Sequence, residues 1–382
     1  MQLAIESKLP QVGTTIFTVM THMANEAGAI NLSQGFPGYE LDRELKELVD
    51  KYIQQGQNQY APLAGVPDLL QAIAEKKKLL YGCNLDPNEE ITITHGATEG
   101  IFSGLTALIR PGDEVIYFEP AYDAYLPAIQ LSGGVGVPIR LNSPDYAVDW
   151  ELVKQAISPR TRMIVINSPH NPTGSLLSES DMLMLQQLVT DHDILILSDE
   201  VYQHVIFDGV EHESVLKYPK LRERALVTMS FGKTFHATGW RVGYAIARPE
   251  ITRELRKVHQ FNTFSINRPF QHALAEYLQK PDRFQSLPDF FQQKRDVFRA
   301  AIADGPFELL PCRGSYFQSV RYGHFSDKPD MEMAEWLTKE IGVAAIPVSA
   351  FYSDGTDERV LRFCFAKNDN MLREAGIRLC AL

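Results

Sequence analysis

The sequence predicts an α/β fold: a large domain with a mostly parallel mixed sheet between helix layers, joined to a smaller α+β domain. Two observations predict it. Through the middle of the chain, short β-branched apolar runs alternate with longer stretches of helical spacing. After about residue 280 that alternation stops, and a charged helical stretch leads into a few short strands. At 382 residues the chain is long enough for two to three units of roughly 150 residues each. A hydrophobic content of 45% is enough to fill their cores.

The strand-like runs of the first unit are 90–94, 114–118, 163–167, 194–198 and 225–229, apolar on both faces as strands between two helix layers must be. A further run, 137–141, follows Gly133-Gly134-Val135-Gly136, which reads as a turn, because a dinucleotide loop would follow a strand and open a helix. The spacing predicts a helix over 178–191, with Met182, Met184, Leu185 and Leu188 packed and Gln186 and Gln187 facing water. Lys76-Lys77-Lys78, following Glu75 in a helical segment, reads as a solvated helix face. In the smaller unit a charged helix is expected over 290–303 and strands over 315–320 and 360–365. With no Gly/Ser-rich linker and no repeat between them, the two units are expected to pack together.

Charge narrows the function. Lys plus Arg number 37 against 48 Asp plus Glu, a net charge of −11 that repels phosphate backbones and anionic lipid, so no nucleic-acid or membrane partner is expected. The first thirty residues lack an apolar core of the signal-peptide type, and no run reaches the roughly 20 apolar residues of a membrane crossing. Cys83, Cys312, Cys364 and Cys380 are scattered without C-x-x-C spacing, which points to a reducing cytoplasm. Asp191-His192-Asp193 and Glu211-His212-Glu213 lack metal-binding helical spacing and read as solvated loops, so no metal is expected.

Open α/β sheets bind ligands at the carboxyl ends of their strands, and five such ends carry chemistry. His95-Gly96-Ala97-Thr98-Glu99-Gly100 opens a helix with small residues whose free N–H groups favour an anion. Asn167-Ser168-Pro169-His170-Asn171-Pro172-Thr173-Gly174 stiffens the backbone around an amide that can both donate and accept. In Ser198-Asp199-Glu200-Val201-Tyr202 a carboxylate follows buried residues and must find a partner. Ser230-Phe231-Gly232-Lys233 places a lysine after a buried strand, where desolvation lowers an amine's pKa and makes it a Schiff-base nucleophile. Arg362, among apolar neighbours on a late strand, suits bidentate binding of a carboxylate. Taken singly, the first four also have plain structural readings: a glycine turn, a proline turn, a helix N-cap by Asp199, and a lysine reaching to the surface.

Taken together and in this order, His170-Asn171-Pro172-Thr173-Gly174, Asp199-Glu200-Val201-Tyr202, Ser230-Phe231-Gly232-Lys233 with Arg241, and Arg362-Phe363 resemble the class I pyridoxal-phosphate aminotransferases of fold type I, nearly end to end. Asn31-Leu32-Ser33-Gln34-Gly35-Phe36-Pro37, Asn58-Gln59-Tyr60, Phe118-Glu119-Pro120-Ala121-Tyr122-Asp123, Ala345-Ile346-Pro347-Val348-Ser349 and Arg362-Phe363-Cys364-Phe365 narrow the resemblance to the methionine and kynurenine aminotransferase (glutamine transaminase K) branch. His236, three residues after the lysine, departs from a pattern that has a small residue there.

The resemblance implies a large cofactor-binding domain over 43–278 and a small domain built from 1–42 and 279–382. It implies transfer of the α-amino group of an apolar or aromatic amino acid (methionine, phenylalanine, kynurenine or a glutamine-like donor) to a 2-oxo acid. Lys233 would form an aldimine with pyridoxal 5′-phosphate and shuttle the proton, and the enzyme would pass through a pyridoxamine form in a ping-pong cycle. Asp199 would pair with the ring nitrogen, Tyr202 and Asn171 with the 3′ oxygen, and Tyr122 would stack on the ring. Ala97, Thr98, Ser230 and Arg241 would hold the phosphate. Arg362, Asn171 and Gly35 would meet the substrate carboxylate, with Phe17 and Phe36 beside its side chain. Tyr60 would reach the phosphate of a neighbouring subunit, which implies a homodimer. The alternatives are a cysteine-conjugate β-lyase on the same scaffold and, from a different class, a non-catalytic cofactor-sensing protein.

Overall fold

Within residues 5–382, which the computed structural model describes, the strands run in chain order as β1 Ile30–Asn31, β2 Ile91–Thr94, β3 Glu114–Glu119, β4 Val135–Arg140, β5 Thr161–Asn167, β6 Leu195–Asp199, β7 Ala225–Ser230, β8 Gly243–Ala247, β9 Glu308–Leu309, β10 Phe317–Arg321, β11 Val343–Ala344, β12 Ile346–Pro347 and β13 Val360–Cys364. Residues 1–4 of the expected N-terminal segment lie outside the described part. Seven strands pair into one sheet in the order β2-β8-β7-β6-β5-β3-β4. All neighbours are parallel except β8, which runs antiparallel to both β2 and β7. The five predicted runs are all strands here, and β4 begins at Val135, inside the stretch read as a turn. Every residue of β2, β3, β7 and β8 is buried, the pattern of strands covered on both faces.

The helix Glu179–His192 follows a capping box formed by Ser178 and Asp181. It buries Met182, Leu185, Leu188 and Val189, whereas Met184, expected in the core, is 38% exposed. Two residues on from Met182, it points to the opposite side of a 3.6-residue turn.

The lysine run corrects a second expectation. In the helix Pro67–Tyr81, Lys78 faces water, but Lys76 and Lys77 are buried. They fall on the same stripe as Leu69, Leu70 and Ile73, so helical period, not charge, decides their side. Lys77 Nζ donates to Gln203 Oε1 at 2.6 Å, and Lys76 Nζ lies 4.9 Å from the Phe284 ring centroid. His212 is likewise buried instead of solvated: the Tyr81 hydroxyl meets its Nδ1 at 2.9 Å, and its Nε2 donates to the Ser168 carbonyl at 3.0 Å.

The second sheet, in the order β12-β13-β10-β9, is antiparallel throughout. β1 pairs in parallel with β11, Ile30 opposite Val343, and Gly38 bridges to Lys367. The early segment 30–38 is therefore stitched onto the late strands, and its Gly35 carbonyl reaches Lys233, just after β7. No helix among the described residues is long and apolar enough to cross a membrane.

Candidate active site

The carboxyl ends of β5, β6 and β7 lie side by side, Asn167 opposite Asp199 and Asp199 opposite Thr228, and they open into a cavity of about 350 Å³. Asn167 shapes its floor. Its amide donates to the Asp199 carbonyl at 2.9 Å, and its Oδ1 accepts the backbone N–H of Asn171 at 2.8 Å, folding the proline-rich turn inward. Asp199 accepts the Tyr125 hydroxyl at 2.7 Å and the Val201 N–H at 3.2 Å. Burial pushes its carboxyl up to about 6, against the pull of those hydrogen bonds.

Lys233 follows β7 in the single turn Phe231–Thr234. Its Nζ donates to the Gly35 carbonyl at 3.2 Å, and the Tyr316 hydroxyl donates to the same oxygen at 2.7 Å. Burial, aided by the charges of Arg241 and Arg362, lowers the amine to about 8. The rings of Tyr316 and Tyr202 lie 5.5 and 5.8 Å from Nζ.

Glycine is required where the anion-binding turn forms. Gly96 has φ +68°, and a Cβ there would come within 2.8 Å of the Arg241 guanidinium. A Cβ on Gly243 would fall 2.7 Å from the Gly96 carbonyl carbon and 2.8 Å from the Ala97 nitrogen. β8 and Arg241 therefore pack directly against the start of the helix Gly96–Leu108, whose free N–H groups and dipole attract anions.

Arg362 is 1% exposed and sandwiched by rings: its guanidinium carbon is 3.9 Å from the Phe317 centroid, 4.9 Å from Phe351 and 5.5 Å from Phe17. One arm donates to Asn171 Oδ1 at 2.7 Å and another to the Ser33 carbonyl at 3.1 Å, while the buried Nε has no partner. Burial lowers it to about 10, which leaves it charged at neutral pH.

The cavity brings together Phe17, Gly35, Phe36, Ala97, Thr98, Tyr122, Asn171, Asp199, Tyr202, Ser230, Lys233, Arg241 and Arg362. Tyr60 is not among them; it is 78% exposed and packs edge-on against Phe264, with ring centroids 5.4 Å apart. Gln34, Asn167 and Val201, which stand in the sequence motifs without a role of their own, also line the cavity, and sequence reasoning missed Ile101, Thr238 and Phe317 in the lining and Tyr125 behind Asp199. Asn167 was open to inference, since it ends the strand beside Asp199. His236 adopts φ +61° and packs its ring against Tyr39, Phe290 and Phe291, outside the lining.

Lys233, Arg241 and Arg362 all line this cavity and, among the described residues, none has an ion-pair partner; the only acidic lining residue is Asp199. A buried excess of cations calls for anionic groups on a ligand. Arg241, beside the start of the helix Gly96–Leu108, and Arg362, with a lysine of lowered pKa between the same walls, fit a ligand that carries anionic groups. Among the described residues, no group of three or more His, Cys, Asp or Glu side chains is placed to hold a metal ion.

The family profile described as aminotransferase class I and II matches residues 27–379. Methionine aminotransferase of Escherichia coli (strain K12) is 48% identical over 98% of this chain and 97% of its own. Kynurenine–oxoglutarate transaminase 1 of Mus musculus is 32% identical over 94% of this chain and 93% of its own. A crystal structure from Escherichia coli, described as identifying a methionine aminotransferase function, superposes with a TM-score of 0.98 at 48% identity, covering 100% of both chains.

Proposed function

The chain belongs to the class I and II aminotransferases, and on that premise we propose that it uses pyridoxal 5′-phosphate to move the α-amino group of an apolar or aromatic amino acid to a 2-oxo acid. Methionine, phenylalanine, kynurenine and glutamine-like donors are the proposed class, in keeping with the activities named for its relatives. One observation carries the reading: three basic side chains without ion-pair partners, one of them a lysine lowered to about 8, converge on a cavity whose single acid is Asp199.

When bound, pyridoxal 5′-phosphate supplies an aldehyde carbon that joins to an amine and a ring that takes up the electron pair released at the substrate Cα. Asp199 would keep a proton on the ring nitrogen. Tyr202 would donate to the 3′ oxygen, and so would the Asn171 amide nitrogen, because Asn171 Oδ1 is already engaged by Arg362. Tyr122 would stack on the ring. The N–H groups of Ala97 and Thr98, with Ser230 and Arg241, would hold the phosphate. Lys233 would provide the attaching amine and move a proton to and from the substrate Cα. Arg362 grips the α-carboxylate with its fork, beside Asn171 and the backbone of Gly35. Phe17 and Phe36 favour apolar side chains, and among the described residues no arginine beyond Arg241 and Arg362 lines the cavity to hold a second carboxylate.

We place the small domain at 1–42 with 279–382 and the large domain at 43–278; the parallel pairing of Ile30 with Val343 supports joining the two ends of the chain. The exposed Tyr60 supports a homodimer in which it reaches the neighbouring subunit's cofactor phosphate. Four free cysteines, three of them buried, suit the reducing cytoplasm.

The test is an absorbance spectrum of the protein supplied with pyridoxal 5′-phosphate, followed by methionine, phenylalanine, kynurenine, glutamine and aspartate in turn. Methionine or an aromatic donor should abolish the visible band, and a 2-oxo acid should restore it. A band that responds to aspartate alone, or to no amino acid, overturns the reading.

A further inference from the structure

Tyr125 opens the helix Tyr125–Leu131 and is 3% exposed. Its hydroxyl donates to Asp199 Oδ2 at 2.7 Å, and its ring stands edge-on to Tyr122, centroids 5.6 Å apart at 82°. The other carboxylate oxygen accepts the Val201 N–H at 3.2 Å. A donor on each oxygen favours the ionised carboxylate and leaves a second lone pair on each for a ligand. Burial, and then the negative charge of Asp199, push the Tyr125 phenol well above its ordinary value, so it keeps its proton and acts only as a donor.

The other titratable groups facing Asp199 are Lys233, which favours its ionisation, Glu200, which opposes it, and the phenols of Tyr122 and Tyr202. Among the described residues, no side chain other than Tyr125 hydrogen-bonds the Asp199 carboxylate.

We propose that Tyr125 is a positioning residue that holds Asp199 ionised and fixed at the cavity wall, and thereby sets how tightly the site retains a cofactor through its pyridine nitrogen. This rests on the pyridoxal-phosphate reading above. Tyr125→Phe keeps the ring and removes the donor.

In the cofactor-free protein, infrared difference spectra follow the Asp199 carboxylate across pH, its band assigned by subtracting Asp199→Asn. Tyr125→Phe should move the titration midpoint up by about one pH unit. It should also weaken equilibrium binding of pyridoxal 5′-phosphate about twofold at pH 7 and about tenfold near pH 5. That deficit should shrink toward pH 9, where Asp199 is ionised in both proteins, and in an Asp199→Asn background Tyr125→Phe should have no further effect.

An unmoved carboxylate titration, a deficit independent of pH, or a full effect in the Asp199→Asn background each overturns the proposal. Should Tyr125→Phe lose its cooperative melt, 3-fluorotyrosine at position 125 carries the same test: the more acidic phenol should move the midpoint down, and no movement overturns the idea. Wild-type protein that binds no pyridoxal phosphate would sink the functional reading, while the infrared titration would still decide the link between Tyr125 and Asp199.

Discussion

Lys233 and the pair Lys76 and Lys77 are lysines withdrawn from water, in two regions that treat them differently. Burial lowers Lys77 to about 7 and Lys233 to about 8, and it holds Lys76 well below the ordinary lysine value. By that measure the two helix lysines are the more perturbed. Yet Lys77 spends its Nζ on Gln203 and Met229, and Lys76 lies over the rings of Phe284 and Phe235. Lys233 instead borders a cavity shared with Asp199, Arg241 and Arg362. A lowered amine pKa reports burial, and reactivity needs in addition an open approach lined with groups that recognise the ligand.

The largest expected effect sharpens that contrast. Lys233→Ala should lower turnover by at least about a thousandfold while the thermal melt stays cooperative. Lys76→Met should leave turnover unchanged, with stability within about 1 kcal/mol of wild type or above it, since it removes a buried amine that has no hydrogen-bond partner. Loss of activity in a well-folded Lys76→Met protein would break the comparison.

Next in size is Arg362→Ala. Steady-state kinetics should show KM for amino and oxo acids raised about 10- to 100-fold with a smaller change in kcat, and Arg362→Lys should recover only part of the loss because it lacks the fork. Gly243→Ala forces a Cβ against the backbone of Gly96, Ala97 and Met229. Its thermal melt should show a loss of about 1–3 kcal/mol, and titration should show weaker binding of pyridoxal 5′-phosphate.

The smallest effects are in pH dependence. Between about 7 and the ordinary lysine value, unfolded protein binds a proton at Lys77 that the folded protein does not, so stability rises with pH through that window. Lys77→Met should reduce that slope in denaturant titrations at several pH values. For Lys233, the rate at which cofactor-free protein captures pyridoxal 5′-phosphate should climb up to about pH 8 and then level off. A rate still rising toward pH 10 would mean an ordinary, solvated amine.

The same two regions show what was legible in the sequence. Residues that end buried strands, such as Asp199 in β6 and Lys233 just after β7, were readable because the carboxyl edge of a parallel sheet is where chains present polar groups. Arg362 stood out as a charge within an apolar strand, and the Phe317 sandwich supplies the physical reason it is tolerated. Lys76 and Lys77 depart from the solvated face their charge suggests because helical position outweighs residue type, and their aromatic and amide partners come from segments more than a hundred residues away. Tyr125 was invisible for the converse reason: an aromatic residue at the start of a helix looks like packing until its hydroxyl is placed on Asp199. Tyr60, exposed in a single chain, keeps its proposed role only in a dimer.

The most direct test of the central claim is to incubate the protein with pyridoxal 5′-phosphate, reduce with borohydride, digest, and locate the phosphopyridoxyl group by peptide mass. The account expects the label on Lys233 in the peptide that follows β7. Label on Lys76, Lys77 or a surface lysine, or no stoichiometric label at all, would contradict it.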